Sequence, residues 1–380
     1  MLNIVIPGLF WLKEKELDYN GVDITNWKKL IRRASIKCNT NRTYINTKNH
    51  KCTNSDFVSY SDYIYNIIYP QCVGSLAEYL AKSIGVINDY PSFLIAEPTN
   101  LRTNRDHLLI SEPELLQLNE EEARILINEI NLHFMGILRI YYVDELLWLI
   151  GLNLDINDNN TNKINDTSNA NDHSGNNYTN TYHQGNSWYP IIDIIGSNID
   201  DYLPSSASAI KFIKLFNEIQ MLLFNSPVNQ MRQSEGLLVV NSIWCWDKIL
   251  GHIGLHNQLQ NIYTNANIFN NIKSNRIKSI DNSNIEECLN NNSLLILDDL
   301  YYPYCYQDTY SWLQKITKYE QLVAKPLVKM LEIGKIDKLN IIVPMMPHSN
   351  GTIRIQISKY DKYKIFIHHG IQDILENIVK

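Results

Sequence analysis

The sequence lacks the cysteine patterns that mark zinc-binding and disulfide-rich proteins. Its six cysteines are widely scattered, with no C-x-x-C pair and no short grouping with histidine. The chain also lacks any apolar run near the ~20 residues that cross a bilayer. Its first apolar stretch breaks at Pro7-Gly8 and follows no basic segment, unlike a secretory signal. We therefore expect a soluble, cytoplasmic protein with reduced thiols and no membrane partner.

An excess of basic residues is absent as well. The formal net charge is -6, which argues against nucleic acid as the main partner, because phosphate backbones are bound by clustered Lys and Arg. P-loop, G-x-G-x-x-G and G-x-S-x-G motifs are also missing, which disfavours ATP, dinucleotide and serine-hydrolase chemistry. With 380 residues, of which 44% are hydrophobic, the chain can bury one large core or two smaller ones.

Alternating strand and helix patterns predict an α/β fold with a mainly parallel central sheet flanked by helices and an antiparallel edge near the C-terminus. The predicted strands are 3–6, 93–96, 107–110, 137–143, 237–244, 293–297, 339–343, 353–358 and 363–367. The predicted helices are 59–69, 75–84, 120–134, 208–224, 310–331 and one through 27–31 that is capped by Asp23, Thr25 or Asn26.

Polar segments set the predicted boundaries. Residues 155–187 are rich in Asn, Thr, Asp and Ser and bury too little to offset their ordering entropy, so they are predicted to be a disordered insertion. It would separate an N-terminal part of the α/β core, 1–154, from a C-terminal part, 188–380. Residues 35–56 are predicted to be a loop, and 257–275 carry weak helix signals.

Residues beyond strand ends are the first candidates for a site, because ligands in open α/β sheets bind there. Arg102, Arg105 and Asp106 follow the predicted strand 93–96 together with Glu97. The two arginines suit a phosphate or carboxylate, which would make a small anionic metabolite the partner. The alternative is an ion-paired turn without a ligand.

The block 215–247 is a second candidate, because polar residues crowd there among apolar ones. Its candidate ligand-binding residues are Glu218, Gln220, Asn229, Arg232, Asn241 and Trp244. The alternative is equally open: the same side chains could hold together a turn that joins the helix at 208–224 to the strand at 237–244.

Asp298 and Asp299 are the candidate metal ligands. They follow the predicted strand 293–297, where carboxylates can bind Mg²⁺ or Mn²⁺, although such residues also cap helices or face solvent. His252 and His256 have helical metal-pair spacing, but Gly251 and Gly254 disfavour a helix there. The adjacent histidines at 368 and 369 point in different directions on any regular element.

Several segments together resemble a proteobacterial family described both as cofactor-independent phosphoglycerate mutase-like and as RpfE-type regulatory proteins. They are LNIVIPGLFW, FLIAEPTNLRTNRDHLLI, LFNEIQMLLFNSPVNQMRQSEGLLVVNSIWCW and SWLQKITKYEQLVAKPLVKMLEIGKIDKLNIIVP. The resemblance implies an alkaline-phosphatase-like fold, and for a true mutase a Ser or Thr nucleophile with two divalent ions. Here Pro7-Gly8 replaces the expected Asp after the first strand, and Glu97 and Asn100 replace an expected Asp and His.

Two functions follow from the resemblance and the residues. One is a phosphoglycerate mutase-like protein that binds a small phosphorylated or anionic metabolite, with a divalent metal as its cofactor if it is catalytic. The other is a non-catalytic regulatory protein that acts through ligand or protein binding. The residues identify neither a catalytic nucleophile nor a two-metal site.

Overall fold

A computed structural model describes residues 1–11, 22–32, 34–40, 60–104, 107–153, 189–203, 207–251, 261–265, 277–280, 285–344 and 351–361. The predicted disordered insertion at 155–187 and the predicted strand at 363–367 lie outside these residues. Among the described residues, no helix is long and apolar enough to cross a membrane. The chain divides into two compact units. Unit 1 comprises Met1–Val73, Ile192–Ser197 and Leu250–Lys380, and unit 2 comprises Gly74–Ile191 and Asn198–Ile249.

The strands of the described residues are, in chain order, β1 Leu2–Val5, β2 Ser35–Thr40, β3 Gly74–Ser75, β4 Ser92–Thr99, β5 Leu101–Asn104, β6 His107–Ile110, β7 Leu138–Tyr142, β8 Trp148–Leu152, β9 Ser242–Trp246, β10 Ile249–Leu250, β11 Asn261–Thr264, β12 Ile277–Ser279, β13 Ser293–Ile296, β14 Lys338–Pro344 and β15 Gly351–Ser358.

The helices of the same residues are α1 Thr25–Arg32, α2 Tyr60–Ile68, α3 Leu76–Ser83, α4 Glu120–His133, α5 Ile191–Ile194, α6 Ala207–Phe224, α7 Pro227–Ser234, α8 Ile285–Cys288, α9 Tyr301–Cys305, α10 Thr309–Tyr319 and α11 Lys325–Glu332. A π-helical turn, Glu320–Ala324, joins α10 to α11, so the predicted helix at 310–331 is nearly continuous.

Unit 1 is built on a seven-stranded sheet in the order β12-β11-β13-β1-β14-β15-β2. The first five of these strands are parallel, and β15 pairs antiparallel with both β14 and β2. Strand β1 is buried along its whole length, as its continuous apolar run predicts for the centre of a parallel sheet. The prediction of a mainly parallel sheet with helices and an antiparallel edge is confirmed.

Unit 2 contains a four-stranded antiparallel sheet in the order β7-β8-β4-β9. Apolar side chains of these strands pack with those of α4 and α6 in one buried cluster. The α4 helix begins as the sequence predicts: Asn119 Oδ1 accepts the backbone N–H of Glu122, and Glu122 Oε2 accepts that of Asn119, which completes a capping box. Strands β5 and β6 form a separate hairpin, and β3 and β10 form a two-stranded ladder.

Four secondary-structure predictions were wrong. Residues 35–40, expected in a loop, form the edge strand β2. Residues 261–264, expected to be weakly helical, form β11. Glu97, expected just beyond the end of the strand 93–96, lies within β4, which continues to Thr99. Residues 225–229, expected to be a turn, include the start of α7, which spans Pro227–Ser234, and the following strand begins at residue 242 rather than 237. For the three strand segments, pairing with distant residues outweighed a weak local signal.

Candidate functional site

The carboxyl ends of two parallel strands in unit 1 carry a polar cluster. Asn265 follows β11 and Asp298 follows β13, its neighbour in the sheet. Asn265 Oδ1 accepts the backbone N–H of Asp298 at 3.1 Å, which ties the two strand ends together. Asp298 and Asp299 are half-buried, and the Asp299 side chain is 30% exposed. This edge is where an α/β sheet presents its ligand-binding residues.

Helix α10 lies beside this edge. Asn265 Nδ2 donates to the hydroxyl oxygen of Tyr319 at 3.3 Å, and Lys318 Nζ lies 4.0 Å from Asp299 Oδ2. Burial raises the pKa of Tyr319 well above its ordinary value, and the Asp299 carboxylate adds to that rise. Tyr319 therefore stays protonated at neutral pH and acts as a hydrogen-bonding group, not as an anion.

The first turn of α2 adds two hydroxyl groups to the cluster. The Tyr60 hydroxyl donates to Asp298 Oδ2 at 3.3 Å. Its neighbour Ser61 is fully buried, and its hydroxyl donates to Asp193 Oδ2 at 2.5 Å while its backbone N–H donates to Asp193 Oδ1 at 3.4 Å. The sequence predictions missed this serine–carboxylate pair, because 132 residues separate its members.

Tyr301, at the start of α9, completes the cluster. Its ring centroid lies 4.9 Å from that of Tyr60. The side chain is 1% exposed, and its hydroxyl has no hydrogen-bond partner among the described residues. Such a group costs free energy unless a water or a ligand satisfies it. We use the name carboxyl-edge cluster for Tyr60, Ser61, Asp193, Asn265, Asp298, Asp299, Tyr301 and Tyr319.

The segment that directly follows β1 is packed in the interior of the protein. Residues Ile6 to Trp11 are all buried. Gly8 has a φ of +74° and accepts a hydrogen bond from Trp312 Nε1 on its carbonyl oxygen at 2.8 Å. A Cβ atom on Gly8 would lie 2.8 Å from the carbonyl oxygen of Leu300. The position after this central strand therefore holds packed backbone and aromatic side chains, with no metal-ligating carboxylate.

Only some of the predicted anion-binding residues at the β5–β6 hairpin of unit 2 lie among the described residues. Arg102 lies on β5 and is exposed. Arg105 and Asp106 lie outside the described residues, so their predicted role in anion binding stays a prediction. Glu97 is buried in β4, where its Oε1 accepts Trp246 Nε1 at 2.9 Å.

Three predicted residues of the 215–247 block direct their polar groups at the protein backbone. Asn229 donates to the carbonyl oxygens of Leu223 and Val240 and accepts the N–H of Val240, all within 2.8 Å. Asn241 exchanges hydrogen bonds of 2.7 and 2.8 Å with the backbone of Leu101. These contacts favour the alternative in which the side chains hold the turn together.

Arg232 is the third predicted residue of this block whose polar groups are directed at the protein backbone. Its guanidinium is fully buried, with Nε donating to Leu238 O at 2.9 Å, Nη1 to Glu122 Oε2 at 2.7 Å and Nη2 to Leu116 O. The charge is thus matched inside unit 2 by one carboxylate and two carbonyls. A ligand would have no access to it in this arrangement.

The remaining candidate residues of the 215–247 block differ from one another in burial and in hydrogen bonding. Glu218 is exposed on α6, and Gln220 Nε2 donates to Ser242 Oγ at 3.2 Å. Trp244 is buried, and its Nε1 donates to the carbonyl oxygen of Tyr189 at 2.8 Å. Asn100 is also occupied, donating to Val239 O at 2.9 Å.

The set of metal-ligating side chains is small. The described residues contain no group of three or more His, Cys, Asp or Glu that could hold a metal ion. Among the residues described at these two strand ends, Asp298 and Asp299 provide the carboxylates and Asn265 provides an amide. His252, His256, His368 and His369 lie outside the described residues. The donor set of the described residues is smaller than the several Asp and His ligands that the resemblance to cofactor-independent mutases implies.

Comparisons with known proteins connect this mixed α/β chain to phosphoglycerate mutases through one short segment. A stretch of 57 residues is 40% identical to the probable 2,3-bisphosphoglycerate-independent phosphoglycerate mutase of Geobacter sulfurreducens. It covers 15% of this chain and only 14% of that protein. No protein-family model matches the chain.

Two solved structures resemble the chain weakly over its whole length. The PH0037 protein of Pyrococcus horikoshii aligns with 94% of its chain, 12% identity and a TM-score of 0.42. The cofactor-independent phosphoglycerate mutase of Thermoplasma acidophilum DSM 1728 aligns with 99% of its chain, 13% identity and a TM-score of 0.35. The fold description therefore rests on the sheet topology of this chain itself.

Proposed function

We propose that the protein is phosphoglycerate mutase-like and binds a small phosphorylated metabolite at the carboxyl-edge cluster of unit 1. The observation that carries the proposal is the convergence of Asp298, Asp299 and Asn265 at the ends of adjacent parallel strands. Mg²⁺ binds through one or two carboxylates together with substrate phosphates, and this donor set suits one such ion. The ion would neutralise a phosphate that the carboxylates alone would repel.

Further support comes from the 57-residue similarity to a probable phosphoglycerate mutase. An alkaline-phosphatase-like scaffold is part of the proposal and agrees with the parallel order of β11, β13, β1 and β14. Phosphoryl transfer would need a hydroxyl nucleophile, and Ser61, hydrogen-bonded to Asp193, is the buried serine of the cluster. The same proposal includes a cytoplasmic location. Its ligand is a small phosphorylated molecule, and neither nucleic acid nor a membrane is a partner.

A non-catalytic regulatory protein is the second candidate. The filled position after β1 favours it, because buried residues and Gly8 stand where the related mutases are expected to hold a metal-binding Asp. The same cluster would then bind its ligand without turning it over. The binding site is common to both candidates, and they differ in whether product forms.

Calorimetric titration with 3-phosphoglycerate, with and without Mg²⁺, tests the binding site. We expect Mg²⁺-dependent binding in the wild-type protein and its loss in Asp298→Asn. Asp337→Asn is the matched control, because Asp337 is an exposed carboxylate of unit 1 that pairs with Lys359 at 2.6 Å. Equal binding by both variants would contradict the proposed site.

Formation of 2-phosphoglycerate from 3-phosphoglycerate by the purified protein separates the two candidates. Turnover that disappears in Asp298→Asn and Ser61→Ala supports the enzyme. Ligand binding without turnover, under conditions with Mg²⁺ or Mn²⁺, supports the regulatory protein.

A further inference from the structure

We propose that Arg354 and Lys37 form a second anion site in unit 1, which binds a phosphate-type dianion without a metal ion. Arg354 lies on β15 and Lys37 on β2, the edge strand beside it. In the order of the sheet, β15 lies three strands from β13, the strand that precedes Asp298, so strand spacing alone separates them by about 14 Å. The site is therefore distinct from the carboxyl-edge cluster and goes beyond the proposed function.

Two cationic side chains face each other across the ladder of β15 and β2. Arg354 and Lys37 are directly opposite partners in this antiparallel pairing. The side chains of such a pair point to the same face of the sheet, with Cβ atoms about 5 Å apart. Like charges in these positions repel each other and destabilise the strand pair. An anion bound between them would replace that repulsion by two attractions.

No carboxylate among the described residues pairs with either cation. The ion pairs in this part of the chain involve other lysines and arginines. The next residues in the same row across the sheet are Ile342 of β14 and Val5 of β1, and both are apolar. The positive charges of Lys37 and Arg354 are therefore unmatched within the described part of the chain.

The protein fixes the position of Arg354 but does not match its charge. Arg354 is half-buried, its guanidinium donates to the hydroxyl oxygen of Tyr63 on α2, and its buried Nε has no hydrogen-bond partner among the described residues. Lys37 is exposed, so solvent reaches the pair. Arg232 shows the opposite arrangement, because a carboxylate and two carbonyls match its charge. Of these two arginines, Arg354 is the one that can accept an anion from solvent.

The charges define the class of anion. Two positive groups match a dianion better than a single carboxylate, which would leave one charge unmatched. A guanidinium can donate to two oxygens of one phosphate, and an ammonium can contact a third oxygen as a point charge. A phosphate group meets these requirements whether it is free or part of a larger metabolite. Lysine on an edge strand can also serve only to prevent sheet edges from associating, so the experiment must separate that role from binding.

Titration of the purified protein with inorganic phosphate tests the site. A chelator is present, so that the carboxyl-edge cluster, which needs an ion to hold phosphate, does not contribute, and chloride keeps the ionic strength constant. We expect Lys37→Met and Arg354→Met each to bind phosphate about tenfold more weakly than the wild type. Lys338→Met is the matched control and should bind as the wild type does. Lys338 is an exposed lysine at the start of β14, opposite Ser358 and away from Arg354.

Thermal unfolding separates binding from a role in protecting the sheet edge. Without phosphate, Lys37→Met should unfold at the wild-type temperature or above it, because the variant removes a like-charge contact. Phosphate should raise the unfolding temperature of the wild type and of Lys338→Met equally, and that of Lys37→Met by less. Because Lys37 is exposed, its variant tests the site even if Arg354→Met fails to fold.

Two results would overturn the site. One is equal phosphate affinity, or an equal phosphate-induced shift, in Lys37→Met and Lys338→Met. The other is a wild-type protein that binds no phosphate in the presence of the chelator. Mg²⁺-dependent binding of 3-phosphoglycerate that is lost in Asp298→Asn but kept in Lys37→Met would leave the proposed function standing in either case, so the two proposals can fail independently.

The same metal-free titration with 3-phosphoglycerate identifies the source of the anion. Binding that is tighter than that of inorganic phosphate, and weakened equally by Lys37→Met, assigns the site to the phosphate group of a metabolite. Equal or weaker binding assigns it to free phosphate.

Discussion

Replacing Arg232 by methionine should destabilise unit 2 severely. The guanidinium is fully buried and donates to Glu122 and to the carbonyl oxygens of Leu116 and Leu238. Methionine keeps much of the volume but leaves two carbonyl oxygens without this donor and the Glu122 carboxylate without its ion pair, although Glu122 still accepts the Asn119 N–H. Breaking a buried ion pair by removing one partner costs about 3–5 kcal/mol. We expect a loss of that size in the free energy of unfolding.

Urea unfolding followed by circular dichroism measures this loss. With a slope of about 2 kcal/mol per molar urea, the midpoint should fall by roughly 1.5–2.5 M. Arg232→Lys keeps the charge but loses the planar fork, so it should fall between methionine and wild type. Arg124→Met is the matched control. Arg124 is an exposed arginine on α4, paired with Glu120 at 2.8 Å, and its loss should cost only about 0.5–1 kcal/mol.

A stability loss below about 1 kcal/mol in Arg232→Met would refute the reasoning. It would mean that the buried charge is not matched as the contacts indicate and that Arg232 is free to serve a ligand. A large loss confirms the role of Arg232 in holding α7 against α4. Any loss of ligand binding in that variant would then report unfolding of unit 2, not a missing contact.

Three further predictions concern stability. Asn229→Ala leaves two backbone carbonyls and one N–H unsatisfied and should cost about 2–4 kcal/mol in urea unfolding, whereas the exposed Asn225→Ala should cost under about 1. Burial raises the pKa of Asp247 to about 6, so the unfolding free energy should fall by up to about 3 kcal/mol as pH rises from about 4 to about 6, and Asp247→Asn should remove this slope. A wild-type slope that persists in Asp247→Asn would contradict that assignment. Gly8→Ala should lower the urea midpoint by more than Gly334→Ala, because both have positive φ but only the Gly8 Cβ meets a backbone oxygen; equal losses would show that the contact relaxes.

The elements with strong local signals were the ones predictable from the sequence. The α4 helix carries its own capping box, and β1 is a continuous apolar run bounded by a turn. By contrast, β2 and β11 mix polar with apolar residues, and they pair with β15 and β13, which lie far along the chain. The α7 helix did carry a usable signal: Pro227 occupies its first turn directly after Ser226, which is a common helix start.

The candidate site was predictable only at Asp298 and Asp299. Both residues follow a clear buried strand, so their position at the carboxyl end of a sheet could be inferred. Ser61, Asp193 and Tyr301 come from three separate segments and have no common motif. Their proximity is a product of the fold, which no spacing in the sequence encodes. The high density of polar residues at 215–247 is evident in the sequence. The sequence does not distinguish a buried polar side chain that hydrogen-bonds to the backbone from one that contacts a ligand.

The π-helical turn between α10 and α11 contributes a carboxylate to the N-terminus of a helix that is distant in sequence. Glu320 in that turn is fully buried, and its Oε1 accepts the backbone N–H of Asn26 at 2.6 Å while its Oε2 accepts that of Trp27 at 3.1 Å. The N–H groups of the second and third residues of α1 are thus satisfied by a residue 294 and 293 positions later in the chain, whereas the N–H of Thr25 donates to the nearby Asp23 Oδ1 at 3.1 Å. During synthesis the first helix of unit 1 would emerge with Asp23 but long before Glu320. Its N-terminus should therefore gain protection from amide hydrogen exchange only late in folding, after the final third of the chain has been made.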